Sequence, residues 1–142
     1  MKFKWTTKCK QAFNDLKHRF ITALILAHFN PNLKCIVETD SSDYALGGVL
    51  LQYNKNGELC LVAFLSWKLA PAESNYKIYN KELLAMVRCF EQWRPKLKGL
   101  LFLIRVLTDH KNLQYFITIK QLTQCQIRWA EYLLRFNFKI TY

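Results

Sequence analysis

Cys35-Ile36-Val37-Glu38-Thr39-Asp40-Ser41-Ser42-Asp43-Tyr44-Ala45-Leu46-Gly47-Gly48-Val49-Leu50-Leu51-Gln52-Tyr53 is the stretch on which the fold of this chain turns. Cys35 to Asp40 is apolar and β-branched and predicts a strand. Alternation sets Ile36, Glu38 and Asp40 on one of its faces. Ser41-Ser42-Asp43 is a polar break, and Leu46 to Tyr53 predicts a second strand. Asn54-Lys55-Asn56-Gly57 supplies a hairpin turn. Leu59 to Ser66 then predicts a third strand.

Working outward, residues 6–24 predict a helix, with Thr6 or Thr7 as its cap. Phe13, Leu16, Phe20 and Leu24 recur there at helical spacing. His28-Phe29-Asn30-Pro31-Asn32 reads as a turn. Downstream, a long helix is expected from Glu73 to Lys98. Tyr76, Tyr79, Leu83, Met86 or Val87, and Phe90 form its apolar stripe, and Gly99 ends it. Leu101 to Leu107 is nearly continuous in apolar residues and suits a central strand. Asp109 to Phe116 predicts a short helix. Thr123 to Phe136 predicts another, with Ile127, Tyr132 or Leu133, and Phe136 inward. Phe138 to Tyr142 begins a last strand. The order is a helix, then β-β-β-α-β-α-α-β, which implies a mixed sheet in an α/β layer fold.

The 142 residues suit one domain. Half of them are hydrophobic and 15% aromatic, which excludes a disordered chain. No apolar run approaches the roughly 20 residues that span a bilayer, and the N-terminus lacks the apolar block of a secretion signal. The five cysteines, at 9, 35, 60, 89 and 125, stand singly. They indicate neither a zinc site nor a disulfide framework, and suit a reducing, intracellular setting. The formal net charge is +11, which points to a polyanionic partner such as nucleic acid. Residues 34–66 break that pattern, with Glu38, Asp40, Asp43 and Glu58 against Lys34 and Lys55. An acidic cluster within a basic chain suggests metal ligands set in a phosphate-binding surface.

The chain has no glycine-rich nucleotide loop, no Walker loop, no His-Glu-x-x-His and no Gly-x-Ser-x-Gly. Its three histidines are isolated. Three acids remain in unusual seats. Asp40 and Asp109 each close an apolar strand. If those strands are parallel neighbours, both carboxylates emerge at one sheet edge, where open α/β sheets place their sites. Glu82 sits on the border of the long helix's buried stripe, where an acid is costly unless paired or bound to metal. Three carboxylates at one edge suit Mg²⁺, which takes oxygen ligands. Two such ions about 4 Å apart assist phosphodiester cleavage.

Glu38-Thr39-Asp40-Ser41-Ser42-Asp43-Tyr44-Ala45-Leu46-Gly47-Gly48-Val49-Leu50 resembles the first catalytic motif of the ribonuclease H domain of gypsy-type LTR retrotransposons. Matches follow in order at Ala63-Phe64-Leu65-Ser66, Pro71-Ala72-Glu73 through Tyr76, Lys81-Glu82-Leu83-Leu84-Ala85, Trp93-Arg94-Pro95, Thr108-Asp109-His110-Lys111-Asn112-Leu113 and Arg128-Trp129-Ala130-Glu131. Phe3-Lys4-Trp5-Thr6 and Ala12-Phe13 through Lys17 resemble the segment joining the polymerase to this domain. The resemblance covers essentially the whole chain and is nearest to fungal versions.

The resemblance implies a ribonuclease H-like fold, a mixed five-stranded sheet flanked by helices. Residues 1–33 would form a linking helix and turn, and 34–142 the ribonuclease H-like domain. The implied activity is metal-dependent hydrolysis of the RNA strand of RNA–DNA hybrids during reverse transcription, leaving 3′-hydroxyl and 5′-phosphate ends. Asp40, Glu82 and Asp109 match family metal ligands for two Mg²⁺, with Mn²⁺ as a substitute. Asp40 would bridge the ions, and Glu82 and Asp109 would hold one each. The family's fourth ligand lies in an Ala-Asp-Ala-Leu-Ser-Arg motif beyond the last strand. The 142 residues stop before it, so the domain is expected to be truncated at its C-terminus. Substrate contacts are expected from Gly47, Gly48, Arg94, His110, Lys111 and Asn112. The implied partners are the hybrid and the polymerase domain of a parent polyprotein, in the cytoplasm or a virus-like particle.

Some positions depart from the family pattern. Leu24, Leu61 and Leu103 stand where Pro is usual, Trp67 and Cys125 where Arg is usual, and Asn80 and Asn137 where an acid is usual. Each is one C-to-T or G-to-A transition away. Two further readings therefore stay open: a nucleic-acid-binding domain impaired in catalysis, and a structural remnant of a decayed element.

Overall fold

The computed structural model describes residues 3–23, 26–111, 113 and 121–142. Helix α1 (Thr7–Ala23) is followed by three strands, β1 (Cys35–Ser41), β2 (Ala45–Tyr53) and β3 (Leu59–Lys68). Both pairings are antiparallel. Val37 lies opposite Leu50 and Asp40 opposite Gly47, and the β2–β3 register is irregular between Leu50 and Leu51. Asn54 builds the β2–β3 turn, its side-chain oxygen accepting from the backbone N–H groups of Asn56 and Glu58. Gly57 completes it at φ +81°, a region glycine enters without steric cost.

The helix expected over 73–98 is three pieces: α2 (Pro71–Ser74), α3 (Ile78–Gln92) and α4 (Arg94–Leu97). Lys77, extended at φ −61° and ψ 151°, separates the first two. Pro95 explains the second break. It has no N–H to donate, and its ring would meet the carbonyl four residues earlier in a continuing helix. Trp93 turns the chain between α3 and α4.

Strand β4 (Ile104–Leu107) is shorter than the apolar run that predicts it. Leu101, Phe102 and Leu103 are exposed, because only residues 104–107 find partners in β1 and in β5 (Phe138–Thr141). Helix α5 (Gln124–Leu133) stands between β4 and β5 in sequence. Half of the short helix expected over 109–116 lies outside the described residues, as do Leu24 and Asn112.

The sheet runs β3-β2-β1-β4-β5, with β1–β4 and β4–β5 parallel. This is the mixed five-stranded sheet that the order of elements implies. Helix α3 packs on β1 and β2, and α5 packs on α3. Enclosed on both sides, α3 buries Leu83, Leu84, Ala85, Met86, Val87, Cys89 and Phe90, far more than one stripe. Phe90 meets Phe136 and Phe138 edge-on, at 4.9 and 5.5 Å. The expected inward set of α5 is corrected at one position. Leu133 and Phe136 are buried, but Ile127 is exposed, and Trp129 and Ala130 pack against the core instead.

Helix α1 has the expected extent, but Phe13 and Leu16 are more than half exposed. Trp5 meets both Phe3 and Phe13 edge-on. The turn that follows is tied down. The buried Gln52 amide exchanges two hydrogen bonds of 2.9 Å with the Asn30 backbone, and Ala27 donates to the Leu61 carbonyl. No helix among the described residues is long and apolar enough to cross a membrane.

Candidate metal centre

The parallel pairing of β1 with β4 places Glu38 beside Leu107. Two residues further along each chain come Asp40 and Asp109. They therefore stand level at the carboxyl ends of adjacent parallel strands, the sheet edge where such folds form clefts. Thr108 shapes the exit from β4, its hydroxyl accepting from the His110 backbone N–H. Helix α3 brings the third acid, Glu82, from its second turn. One carboxylate oxygen from each of Asp40, Glu82 and Asp109 lies within 4.8 Å of the other two. Ligand oxygens around one ion at about 2.1 Å stand at most about 4.2 Å apart, so small side-chain rotations bring the three onto a common cation.

Glu82 is 2% exposed. Its Oε1 accepts a 2.5 Å hydrogen bond from the Ser41 hydroxyl. Its Oε2 is buried and has no hydrogen-bond partner. A bare buried carboxylate oxygen is costly, and a hard cation removes that cost. Burial is the chief cause that raises the Glu82 pKa. The nearby charges of Asp109 and Asp40 push the same way, while the Ser41 hydrogen bond and His110 partly oppose them. Crowded, oxygen-only and missing a partner on one atom, the site fits a divalent cation.

A hollow of about 500 Å³ opens beside Asp40 and Asp109, its lining including Gly47, Val49, Phe64 and Leu107. Gly47 therefore faces the space beside the acids. Gly48 does not. A Cβ there would stand 2.1 Å from Cys89 Sγ and 3.4 Å from Trp93, so its missing side chain serves the seating of α3. His110 packs edge-on against Tyr79, 5.7 Å between ring centroids, and its Nδ1 is buried without a hydrogen bond. Lys111 is exposed just past the site. Arg94 is not brought to the acids. It sits on α4 beside Trp67 and Arg88, beyond the end of the helix that carries Glu82.

Sequence reasoning passed over Ser41, treating it as part of a polar break. Alternation holds the signal. Ser41 shares a face with Val37 and Thr39, both buried, and that is the face on which α3 lies. The Lys81–Asp43 ion pair went unread for a different reason: a helix residue and a loop residue so far apart show no pattern that joins them.

Comparison with known proteins follows the same lines. Residues 5–104 match the family model described as an RNase H-like domain found in reverse transcriptase. The Transposon Tf2-3 and Tf2-4 polyproteins of Schizosaccharomyces pombe (strain 972) are each 34% identical over 144 residues. The match takes in all of this chain and 11% of theirs, so the chain spans about a tenth of the length of these relatives. Among solved structures, native Prototype Foamy Virus Protease-Reverse Transcriptase superposes at a TM-score of 0.71, with 18% identity, over 99% of this chain and 19% of that one. The foamy viral enzyme in complex with an RNA/DNA hybrid gives 0.62, with 21% identity, over 98% and 19%. LC11-RNase H1, also in complex with RNA/DNA hybrid, gives 0.54, with 13% identity, over 76% and 83%. At these identities what is shared is the ribonuclease H fold: a mixed five-stranded sheet flanked by helices.

Proposed function

From the premise that the chain belongs to the RNase H-like domains found in reverse transcriptase, within retrotransposon polyproteins, we propose that it hydrolyses the RNA strand of RNA–DNA hybrids with divalent cations. The observation that carries this reading is the convergence of Asp40, Glu82 and Asp109 around a buried carboxylate oxygen that lacks a partner. Asp40, Glu82 and Asp109 would hold Mg²⁺, or Mn²⁺ in its place. Bound there, the cations supply an activated water and neutralise charge on the scissile phosphate.

The chain's own residues do the rest. Ser41 fixes the direction of the Glu82 carboxylate. Gly47 leaves the backbone open beside the acids, so a duplex backbone approaches closely. His110 and Lys111 lie just past Asp109, within reach of a phosphate near the cut. Arg94, on α4 beyond the end of α3, is suited to the duplex further along. Selectivity for a hybrid rests on 2′-hydroxyl contacts across the minor groove, and the charge of +11 supplies sequence-independent attraction to phosphates.

Residues 1–33 join this unit to the polymerase portion of a gypsy-type polyprotein, and 34–142 carry the chemistry. Reverse transcription in the cytoplasm or a virus-like particle is the setting in which such hybrids arise.

The test is cleavage of end-labelled RNA–DNA hybrid by the 142-residue chain in Mg²⁺, in Mn²⁺ and in EDTA. Double-stranded DNA and double-stranded RNA serve as controls. Hybrid-only, metal-dependent cleavage that disappears in Asp40→Asn is the expected result. Hybrid binding without cleavage in either metal would favour the impaired-domain reading instead.

A further inference from the structure

Two consecutive residues of α3 reach one short segment, the end of β1 and the connection that follows it. Glu82 accepts from Ser41, and Lys81 Nζ donates to Asp43 Oδ1 at 2.9 Å. Consecutive helix residues project about 100° apart around the axis. A segment meets both only by straddling the helix surface.

The two contacts do different work. Ser41 sets the carboxylate of Glu82 directly. Lys81–Asp43 opposes rotation of α3 about its own axis, the motion that would swing Glu82 away from Asp40. The asymmetry of the ion pair fits this role. The Lys81 side chain is 5% exposed and that of Asp43 is 80% exposed. A buried ammonium has few places to go, and losing a charged partner leaves it uncompensated. The end in solvent is also stiff. Ser42 Oγ accepts from the backbone N–H groups of Tyr44 and Ala45 and donates to the Ala45 carbonyl. Leu69 adds a bond to the Tyr44 carbonyl. Asp43 therefore hangs from a turn whose backbone is hydrogen-bonded on both sides.

We infer that Asp43 and Lys81 are positioning residues. Their ion pair fixes the azimuth of α3, and so the placement of Glu82 against Asp40 and Asp109, without touching a cation or substrate. The inference rests on the reading of those three acids as a metal centre.

The experiment uses the 142-residue chain, with Mn²⁺ alone as probe in titration calorimetry and labelled hybrid in steady-state cleavage. The variants are Asp43→Asn, Lys81→Met and the exchange Asp43→Lys with Lys81→Asp. Asp43 is exposed, so Asp43→Asn should fold, which a melting curve checks. Second-sphere partners of metal ligands typically account for about 10- to 100-fold in affinity or activity. Mn²⁺ affinity and kcat should each fall about tenfold in Asp43→Asn, with KM for the hybrid little changed, and the exchange should recover much of both. Wild-type Mn²⁺ affinity in Asp43→Asn overturns the clamp, whatever the chain cleaves. Wild type that binds Mn²⁺ without cleaving hybrid, alongside weakened binding in Asp43→Asn, upholds the clamp and overturns the proposed activity. Absence of Mn²⁺ binding by wild type overturns both.

Discussion

Asp40 and Asp109 stand level with each other at the ends of two parallel strands, although all of α3 lies between them in sequence. Their closeness to Glu82 has an electrostatic consequence. Without a cation, three carboxylates crowd one sheet edge, and one of them is buried. The metal-free fold carries that repulsion as a standing cost.

Removing one charge should therefore stabilise the metal-free chain. Two unit charges about 4 Å apart interact by about 1 kcal/mol in water and more within protein. Asp109 is exposed, which puts it near the lower limit. Asp109→Asn is expected to gain about 1 kcal/mol in EDTA, read by urea denaturation. The same substitution should reduce the rise in melting temperature that Mn²⁺ gives wild type. A loss of stability in EDTA would show that the acids do not repel one another as their positions imply.

Glu82 gives the stability a pH dependence of definite sign. Its pKa is raised in the folded chain, chiefly by burial, and returns to the ordinary glutamate value on unfolding. The folded state thus binds a proton more tightly than the unfolded state. That contribution is full below the unfolded value and is lost as pH rises through the folded one. Metal-free wild type should lose stability as pH climbs from the ordinary glutamate range through the raised value. Glu82→Gln should flatten the change across that window. Cation binding runs the opposite way, since protons compete for the same oxygen, and calorimetry should show Mn²⁺ affinity falling as the solution is acidified. A pH-independent affinity across the window would remove Glu82 from the ligand set.

Gly48 and Gly47 are adjacent, yet they should respond differently to a methyl group. At Gly48 it would overlap Cys89 Sγ, whereas at Gly47 the nearest atom is the Asp40 carbonyl oxygen, 3.9 Å away. Overpacking a tight interior typically costs 1–3 kcal/mol, so Gly48→Ala should destabilise by about 2 kcal/mol. Adding Cys89→Ala should return part of that loss, because the overlapping atom is gone. Gly47→Ala should melt close to wild type. Equal melting temperatures for the two single variants would contradict the packing of α3 on β2.

Binding to the hybrid should weaken steeply with salt, since each phosphate neutralised releases counterions. Lys111→Ala is expected to lower the magnitude of the log–log salt slope by about 1, and to do so for any duplex sequence. Fluorescence anisotropy of labelled hybrid across a salt series measures the slope. An unchanged slope would take Lys111 out of the phosphate contacts.

What the sequence made legible was whatever local chemistry decides. The alternation in Cys35–Asp40, the Asn54–Gly57 turn and the acids closing two apolar runs each carry their signal within a few residues. The parallel neighbouring of β1 and β4, which turns two scattered acids into a pair, stood in the sequence only as a condition, and the structure meets it. Features set by distant partners stayed hidden. Ile127 fits an inward stripe by spacing, yet the α5 residues that reach the core are Trp129, Ala130, Tyr132 and Leu133. Phe13 and Leu16 repeat at helical spacing and are nevertheless exposed on α1. Gly48 reads as an opening for a ligand until Cys89 is placed beneath it. Pro95 carries the signal for the break between α3 and α4, and the helix expected over Glu73 to Lys98 ran through it.

The Gln52 side chain bears on a practical matter, the smallest piece of this chain that folds. Its amide bonds to the Asn30 backbone in both directions and also to the Leu33 carbonyl. Ala27 and Phe29 pack against the core, and Lys96 lies over the Phe29 ring. Trimming the chain back to Lys34 would strip Gln52 of these acceptors and donors inside the fold and open a gap where Phe29 sat. A cut before Leu26 would leave both intact while discarding α1. Deletion series from the N-terminus should accordingly stay soluble to Leu26 and begin to aggregate once Asn30 is gone.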